Sequence, residues 1–364
     1  TRRKVMKKKQ AKPNTKKNKT HLKQKIIISF SIIVFLLIAF FAYQCYTYFL
    51  PNFKVKNGER VFIYITKETT FNDVVSQLTT QNAIKNVHSF KRWAKMHSYP
   101  KHIKTGRYEV IDGMSNKDLI FNLSRKIQTP IKFTFNNIRT KDQLCKRIDE
   151  QLMIDSATMH NTLDNKEILL KYNVSKEEVI AFFIPNTYEI YWDISATDLL
   201  ARMYREYQKF WNKQRLEKAE KINLKPVQIA TLASIIDEET NLKKDKSIIA
   251  GLYLNRLKRG MPLQACPTAR FAVGDFSLTR ILYEHTQFDS PYNTYRYKGL
   301  PPGPIRVASP EGIDAVLNYT KSNYLYMCAK ETMNGEHNFA STLSEHNRNA
   351  QRYQKAYNQL FRKR

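Results

Sequence analysis

The sequence predicts an α+β protein with a single N-terminal transmembrane helix, a small α+β module and a larger mixed α+β domain. Three features indicate this: a 24-residue block without charged side chains, short alternating segments followed by capped helix starts, and an apolar helix followed by turn-rich polar segments. We place the boundaries at residues 1–25 (basic tail), 26–49 (transmembrane helix), 52–130 (module), 131–222 (connecting region) and 223–364 (catalytic candidate).

The N-terminal segment has the composition of a membrane anchor. Residues 1–25 contain twelve Lys or Arg and no acid, and the apolar block 26–49 is long enough to cross the roughly 30 Å hydrocarbon layer as a helix. Tyr43, Tyr46 and Tyr48 lie at its far end, as in an aromatic belt. The positive charge places the tail in the cytoplasm and the rest of the chain outside. A cleaved signal peptide is the alternative, but the block exceeds a usual h-region and no small-residue cleavage site follows it.

Charge and cysteine content limit the possible partners. Beyond the tail, 49 basic residues stand against 32 acidic ones, which favours anionic lipid, nucleic acid or an anionic wall polymer as a partner. We expect no nucleic acid, because the sequence has no zinc-finger spacing, ribonucleoprotein motif or Gly-rich phosphate loop. Cys145, Cys266 and Cys328 cannot all pair within one exported chain, and Cys45 lies in the apolar block. We therefore expect neither a disulfide framework nor a metal site.

The module contains two repeats of one local pattern. Two alternating segments, Val61–Thr66 and Gly106–Ile111, each precede a Ser or Thr that has an acid three residues later. The pairs are Thr70 with Asp73 and Ser115 with Asp118. Each pair predicts a helix start, because the hydroxyl and the acid satisfy open N–H groups of the first turn. A further helix is predicted over Ala83–His97; whether the module binds a ligand stays open at this point.

The connecting region begins with a predicted strand at Lys132–Phe135 and a helix over Thr140–Leu152. Phe182–Trp192 is a dense aromatic stretch with a Pro-Asn turn, and its rings either pack a core or stack on sugars. A charged periodic segment, Ala196–Lys221, predicts one long helix.

The next helix carries the candidate catalytic group. Apolar residues recur at helical spacing over Val227–Thr240, which predicts a buried amphipathic helix. Glu239 near its end is in phase with the apolar stripe, because Ile236, Ile235 and Leu232 lie three, four and seven residues before it.

Helical phase distinguishes Glu239 from the two acids beside it. The same offsets from Asp237 and Glu238 reach mostly small or polar residues. A carboxyl held against apolar neighbours loses hydration of its charged form, so its pKa rises, as a general acid requires. The alternative is a structural carboxylate at a helix end, paired with Lys243, Lys244 or Arg256.

The segments downstream have the groups that bind sugars. They are turn-rich and contain many amides, hydroxyls and aromatic rings, while no metal cluster, Ser-His-Asp set or nucleotide loop competes. Four motifs stand in order: Ala-Ser-Ile-Ile-x-x-Glu-Thr at 233–240, Leu-Gln-x-x-Pro-Thr at 263–268, Tyr-Asn-Thr-Tyr at 292–295, and Gly-Leu-Pro-Pro-Gly-Pro-Ile at 299–305.

With these motifs, the stretch from Leu232 to Tyr353 resembles the catalytic domain of the endolytic murein transglycosylases, the MltG or YceG-like family. The resemblance extends over residues 61–123, where the family has a LysM-like module, and through Phe183–Tyr188. It implies a YceG-like mixed α+β catalytic domain, and it makes Glu239 the catalytic glutamate because that residue directly precedes the threonine of the first motif.

The resemblance also implies a reaction and a location. A lyase of this kind uses one carboxylate to cleave the MurNAc–GlcNAc bond with formation of 1,6-anhydro-MurNAc, without a cofactor or metal. The enzyme would lie in the bacterial plasma membrane with its catalytic domain outside, act on nascent glycan strands and work beside cell-wall synthases. We expect the glycan to be held by Asn255, Gln264, Thr268, Tyr292, Asn293 and Tyr295.

Three positions depart from the family pattern. Asp237 replaces a usual Glu, Cys266 replaces a usual Asp and Asn186 replaces another Asp. Two other functions stay open: a hydrolytic muramidase assisted by a second acid such as Asp237 or Glu238, and a glycan-binding protein without activity.

Overall fold

The structure is a computed structural model that describes residues 15–56 and 58–361. Residues 1–14 of the predicted basic tail lie outside the described residues. The chain divides into two compact units, one up to Thr129 and one from Pro130 onward.

The first unit opens with helix α1, Thr15–Phe49. Within it, Leu22–Phe49 is long and apolar enough to cross a membrane, and an 18-residue stretch inside this range has a mean hydropathy of 2.8. The prediction that the apolar block is one helix is confirmed, and the helix begins before that block.

The rest of the first unit is a two-stranded antiparallel sheet with three helices. Its elements are β1 Val61–Ile65, α2 Phe71–Thr80, α3 Val87–Met96, β2 Gly106–Val110 and α4 Asn116–Arg125, with a 3-10 turn at Tyr99–Lys101. Both predicted capped starts are confirmed: Thr70 and Ser115 form capping boxes with the acid three residues later. Val61, Ile63 and Ile65 are buried on one face of β1. The period-two pattern therefore builds the core of this unit.

The helix predicted over Ala83–His97 is shorter in the structure, and its boundaries were wrong. It begins at Val87, because the Asn86 side chain accepts a hydrogen bond from the Ser89 N–H and caps the helix there. The residues before it are extended, since Ile84 forms a β-bridge with Phe53. A local cap and a long-range bridge thus outweigh the periodicity.

The second unit is mainly helical, with two separate antiparallel strand pairs, β3–β4 and β5–β6. Its elements are β3 Ile131–Thr134, α5 Lys141–Asp149, α6 Ser156–Asp164, α7 Lys166–Leu170, β4 Thr187–Ile190, α8 Ala196–Phe210, α9 Lys213–Lys221, α10 Pro226–Glu239, α11 Lys243–Lys258, α12 Cys266–Val273, α13 Tyr283–Thr286, α14 Pro310–Leu317, β5 Tyr326–Ala329, β6 His337–Ala340 and α15 Leu343–Phe361. The mixed α+β class is therefore confirmed.

The single helix predicted over Ala196–Lys221 is wrong, because the structure has two. Helix α8 ends at Phe210, and Trp211 leaves helical geometry with ψ of 61°. Asn212 then caps α9 by accepting a hydrogen bond from the Arg215 N–H. Burial of Trp211 and a new N-cap fix a turn inside a segment whose charge periodicity is continuous.

Helix α10 is the central element of the second unit, and its prediction is confirmed to within one residue at each end. Nine of its fourteen residues are buried, and Pro226 occupies its first turn. The helix packs against α11, α12 and α14. Glu239 is its last residue, so the candidate carboxyl lies where the core opens to solvent.

Two glycines allow close packing around α10. A Cβ on Gly251 of α11 would lie 2.2 Å from the Thr320 carbonyl oxygen, and a Cβ on Gly312 of α14 would lie 2.6 Å from the Asp237 carboxylate. The Ser234 hydroxyl of α10 also accepts a hydrogen bond from the Ile305 N–H at 3.0 Å. The Gly312 and Ser234 contacts hold α10 against α14 and the segment that precedes it.

Candidate active site

Glu239 lies at the end of α10 with one strong hydrogen bond. The Tyr253 hydroxyl of α11 donates to Glu239 Oε1 at 2.7 Å. Leu232, Ile235 and Ile236 on the preceding turns are fully buried, as the helical phase predicts. Glu239 itself is partly exposed, because it faces a cavity. Protein atoms nevertheless surround it closely.

The surroundings of Glu239 favour its protonated form. Burial raises the pKa of the Glu239 carboxyl above its ordinary value of 4.5, and this effect is larger than the others. The hydrogen bond from Tyr253 and the charges of His337 and Arg270 oppose it by favouring the carboxylate. The carboxyl is therefore buried enough to hold a proton and has groups that stabilise it after the proton leaves.

The two neighbouring acids are engaged in ion pairs. Asp237 Oδ1 lies 2.7 Å from Lys246 Nζ, and Asp237 Oδ2 accepts a hydrogen bond from the Ser309 N–H at 2.7 Å. Lys246 and Asp237 are both almost fully buried. Asp237 therefore fixes α14 against α10 and α11.

Glu238 lies between two arginines. Its Oε1 is 2.7 Å from Arg306 Nη1 and 3.1 Å from Arg139 Nε. Among the described residues, no Lys or Arg forms a salt bridge with Glu239, so the alternative of a structural carboxylate paired with Lys243, Lys244 or Arg256 is wrong within this set. Lys244 pairs with Glu336, and the Arg256 guanidinium donates to the Leu325 carbonyl at 2.6 Å.

Glu239 borders two cavities of different chemistry. The tyrosine cavity, about 430 Å³, is lined by residues that include Tyr253, Gln264, Cys266, Tyr295, Tyr326 and His337. The arginine cavity, about 740 Å³, is lined by residues that include Asn137, Arg139, Glu238, Arg270 and Arg306. A chain-like ligand can thus extend from the carboxyl in two directions.

An aspartate orients the imidazole in the tyrosine cavity. Asp245 Oδ2 lies 3.0 Å from His337 Nδ1 and accepts a hydrogen bond from the His337 N–H at 3.1 Å. Asp245 is buried at the start of α11, and His337 opens β6. The carboxylate fixes the ring and leaves Nε2 as the nitrogen available to a ligand.

Two of the residues expected to hold the glycan lie in the tyrosine cavity with Glu239. Gln264 has a left-handed backbone with φ of 50°, and its Oε1 accepts from Arg256 at 3.3 Å. The Tyr295 hydroxyl lies 3.1 Å from Cys266 Sγ, the position where the family pattern has an acid. These two side chains converge on the same space as the carboxyl.

The other four candidates lie outside the tyrosine cavity. Asn255 donates to the Ser322 and Tyr324 carbonyls, Asn293 donates to the Thr286 and Phe288 carbonyls, and Thr268 donates to the Ala265 carbonyl. Their polar groups fix loops that border the cavity. Tyr292 lies in a third cavity of about 220 Å³, beside Arg139.

Sequence reasoning missed several groups around the carboxyl. Tyr253 lies four residues after Ile249 and three after Ala250 on α11, so phase could have placed it on the buried face. No local pattern identifies Arg270, Arg139 or Arg306, because their relation to Glu238 and Glu239 arises only when distant segments meet.

Comparison with known proteins identifies the family. A family model described as the YceG-like family matches residues 63–352. A curated relative named endolytic murein transglycosylase, from Bacillus subtilis (strain 168), is 35% identical over 222 residues, which are 59% of this chain and 58% of the relative. A relative of the same name from Streptococcus pneumoniae serotype 2 (strain D39) is 26% identical over 362 residues, covering 91% of this chain and 65% of the relative.

The fold agrees with this comparison. A crystal structure of a yceG-like protein from Listeria monocytogenes matches with a TM-score of 0.54 at 27% identity, covering 80% of this chain and 98% of that chain. The chain spans about three fifths of the length of the two curated relatives. Because the family model matches most of the chain and the motif glutamate lies between two cavities, the chain belongs to the YceG-like family.

Proposed function

We propose that this chain is a membrane-anchored endolytic lytic transglycosylase of peptidoglycan. It cleaves the bond between N-acetylmuramic acid and N-acetylglucosamine and leaves a 1,6-anhydro-muramyl end. The observation that carries this proposal is the state of Glu239: a carboxyl closely surrounded by protein, with a raised pKa and a hydrogen bond from Tyr253, whose two neighbouring acids are neutralised by cations. The family of the chain and the names of its relatives support the same activity.

In the first step Glu239 acts as the general acid. Tyr253 donates to Oε1, so the transferable proton belongs on Oε2. This proton passes to the oxygen that links muramic C1 to the next sugar, and the C1–O bond breaks with both electrons moving to that oxygen. The muramyl ring becomes oxocarbenium-like, and the Glu239 carboxylate beside it stabilises the positive charge.

In the second step the carboxylate acts as the base. It accepts the proton from the muramic C6 hydroxyl, and O6 forms a bond to C1 to close the 1,6-anhydro ring. Glu239 ends protonated, as it began, and no water is consumed. The positive charge of Arg270 and the hydrogen bond from the Tyr253 hydroxyl stabilise the carboxylate between the two steps.

The positions of the neighbouring acids support a mechanism with one carboxylate. A muramidase requires a second carboxylate that acts as a nucleophile or activates water. Asp237 is held by Lys246 and Ser309, and Glu238 by Arg139 and Arg306. Neither is free for that role in the described arrangement.

The two cavities support cleavage within a strand. Glu239 borders both, so a glycan can occupy space on each side of the scissile bond. Gln264 and Tyr295 are the predicted binding residues best placed to contact it. Asn255, Thr268 and Asn293 would support binding indirectly, by fixing the bordering loops, while Tyr292 borders an outer cavity.

The first unit has the anchoring and substrate-holding roles in this proposal. The apolar helix spans the plasma membrane with the basic tail inside and the catalytic domain outside. The LysM-like module, residues 52–130, binds glycan, and nascent strands emerging from cell-wall synthases are the substrate. Alkaline extraction, which removes peripheral proteins and leaves spanning ones in the membrane, tests the anchoring.

Product analysis tests the reaction. We expect the full chain in detergent to convert purified murein into fragments with 1,6-anhydro-muramyl ends, each lighter by one water than a reducing end. Mass spectrometry separates these two products. Reducing muramic ends would instead identify a muramidase, and the absence of any cleavage would identify a glycan-binding protein.

The pH dependence of the rate tests the role of Tyr253. The acid must be protonated, so kcat/KM falls as pH rises through the raised pKa of Glu239. The bond from Tyr253 lowers that pKa, so Tyr253→Phe should move the falling limb to higher pH. Tyr191→Phe, which removes an exposed hydroxyl, is the matched control. An unchanged limb in Tyr253→Phe would contradict this assignment.

A further inference from the structure

The arginine cavity contains more positive charge than the protein itself neutralises. Arg139 and Arg306 share one carboxylate, Glu238, and Asp237 is paired with Lys246. Arg270 has no acidic partner within salt-bridge distance among the described residues. When Glu239 is protonated, the cavity therefore carries a net positive charge beside the catalytic proton.

Two arginines that line this cavity each have a guanidinium nitrogen without a hydrogen-bond acceptor among the described residues. The Nε atoms of Arg270 and Arg306 are buried and have no partner in the described part of the chain. An unsatisfied buried donor is costly, and more so when the group is charged. A ligand that supplies acceptor oxygens at this place would remove that cost.

The geometry of a guanidinium indicates the kind of ligand. Its planar fork donates two parallel hydrogen bonds to a carboxylate, which a sugar hydroxyl cannot match. On the proposed substrate, N-acetylglucosamine is neutral, whereas muramic acid bears a lactyl group whose carboxyl is either free or joined to a peptide with its own carboxylates. A phosphate at a strand end lies too far from an internal scissile bond to be the regular occupant.

We propose that the arginine cavity is a subsite for a carboxylate carried by the muramyl residue next to the scissile bond, with Arg270 as its principal ligand. This inference rests on the proposed function, since the substrate class comes from there. It assigns a direction to the strand: the face of the muramyl residue that bears the lactyl ether lies toward Arg270, and the remaining glycan extends into the tyrosine cavity.

Binding measurements on the full chain in detergent test the subsite. In the Glu239→Gln background, which prevents turnover, we expect glycan oligomers with free carboxylates to bind about tenfold to a hundredfold more tightly than the same oligomers converted to methylamides. Adding Arg270→Gln should remove this preference. Arg280→Gln, an exposed arginine outside both cavities, is the matched control and should retain it.

Two ligand series distinguish the source of the carboxylate. Oligomers stripped of peptide present only the lactyl carboxylate, whereas peptide-bearing oligomers present only peptide carboxylates. The series that shows the Arg270-dependent preference therefore identifies which carboxylate binds in the cavity. Arg270→Lys keeps the charge without the fork and should restore only part of the preference. Thermal melting verifies that each variant is folded.

Several results would overturn the subsite. Equal binding of carboxylate and methylamide oligomers by the parent protein would do so, as would a preference that persists in Arg270→Gln. These outcomes are separate from failure of the proposed function. If the wild-type chain forms anhydro ends but does not prefer carboxylate oligomers over methylamide oligomers, only the subsite is disproved. If the preference is present but no cleavage occurs, the chain is a binding protein with a carboxylate site.

Discussion

Glu239→Gln is expected to lower the rate of murein cleavage by at least about 10³-fold, since one side chain donates and then accepts the proton. Glutamine keeps the shape of the carboxyl and can accept the hydrogen bond from Tyr253, but it has no proton to transfer. The measurement is release of anhydro-muropeptides from purified murein by the full chain. Glu220→Gln on the exposed face of α9 is the control and should cleave at the wild-type rate.

The pH dependence of stability verifies that the same variant is folded and tests the burial of the carboxyl. Burial raises the pKa of Glu239 in the folded chain above the ordinary 4.5. The folded state then binds the proton more tightly than the unfolded state, so this contribution to stability is complete below pH 4.5 and is lost as pH rises through the raised pKa. Glu239→Gln cannot ionise, and the difference between its melting midpoint and that of wild type should grow with pH over this window.

Cleavage that survives Glu239→Gln would reject the catalytic assignment. A midpoint difference that stays constant from pH 4.5 upward would show that the carboxyl is not desolvated. Together, the two measurements separate a residue that is merely structural from one that carries the proton.

Asp237→Ala is expected to reduce the free energy of unfolding of the second unit by about 3–5 kcal/mol, because it leaves Lys246 buried without a counter-charge. The Asp237–Lys246 pair is almost fully buried, and Asp237 also accepts from the Ser309 N–H and hydroxyl at the start of α14. The measurement is denaturant unfolding of the full chain, followed by a probe of the second unit.

Two further variants make this prediction specific. Arg147→Ala removes a partner from the exposed Arg147–Glu150 pair and should change stability by no more than about 1 kcal/mol. The double variant Asp237→Leu with Lys246→Met removes both charges and should recover most of the loss. Equal losses in Asp237→Ala and the double variant would mean that packing around Gly312, not the charge, is the cause.

The sequence was sufficient to predict where helices begin, because the capping interactions that determine these starts are local. Thr70, Ser115 and Thr140 each cap a helix because the N–H group they accept from is three residues away. It failed over Ala196–Lys221, where burial of Trp211 and the Asn212 cap divide a continuous charge pattern. Asn212 could have indicated that break, since it is a preferred N-cap residue.

Polar residues downstream of α10 show the limit of such patterns. Asn255, Thr268 and Asn293 belong to segments rich in groups that bind sugars, yet in the structure they bond to backbone carbonyls. An amide serves a ligand or a loop equally well. Whether such a polar group binds a ligand or fixes a loop depends on the carbonyls that the fold brings within about 3 Å of it.

By itself, the sequence determined that Glu239 is in phase with Leu232, Ile235 and Ile236, because helical phase depends only on spacing along the chain. It did not determine that Asp237 is also buried, since that burial comes from its pairing with Lys246. The tertiary structure decided which charged and hydrogen-bonding groups lie around the Glu239 carboxyl. Arg139 and Arg306 reach Glu238 across 99 and 68 residues, and Tyr253 bonds to Glu239. Arg270, beside Glu239, has no salt-bridge partner in the part of the chain that the structure describes. Electrostatic and hydrogen-bonding partners depend on distance in space, which no spacing along the chain records.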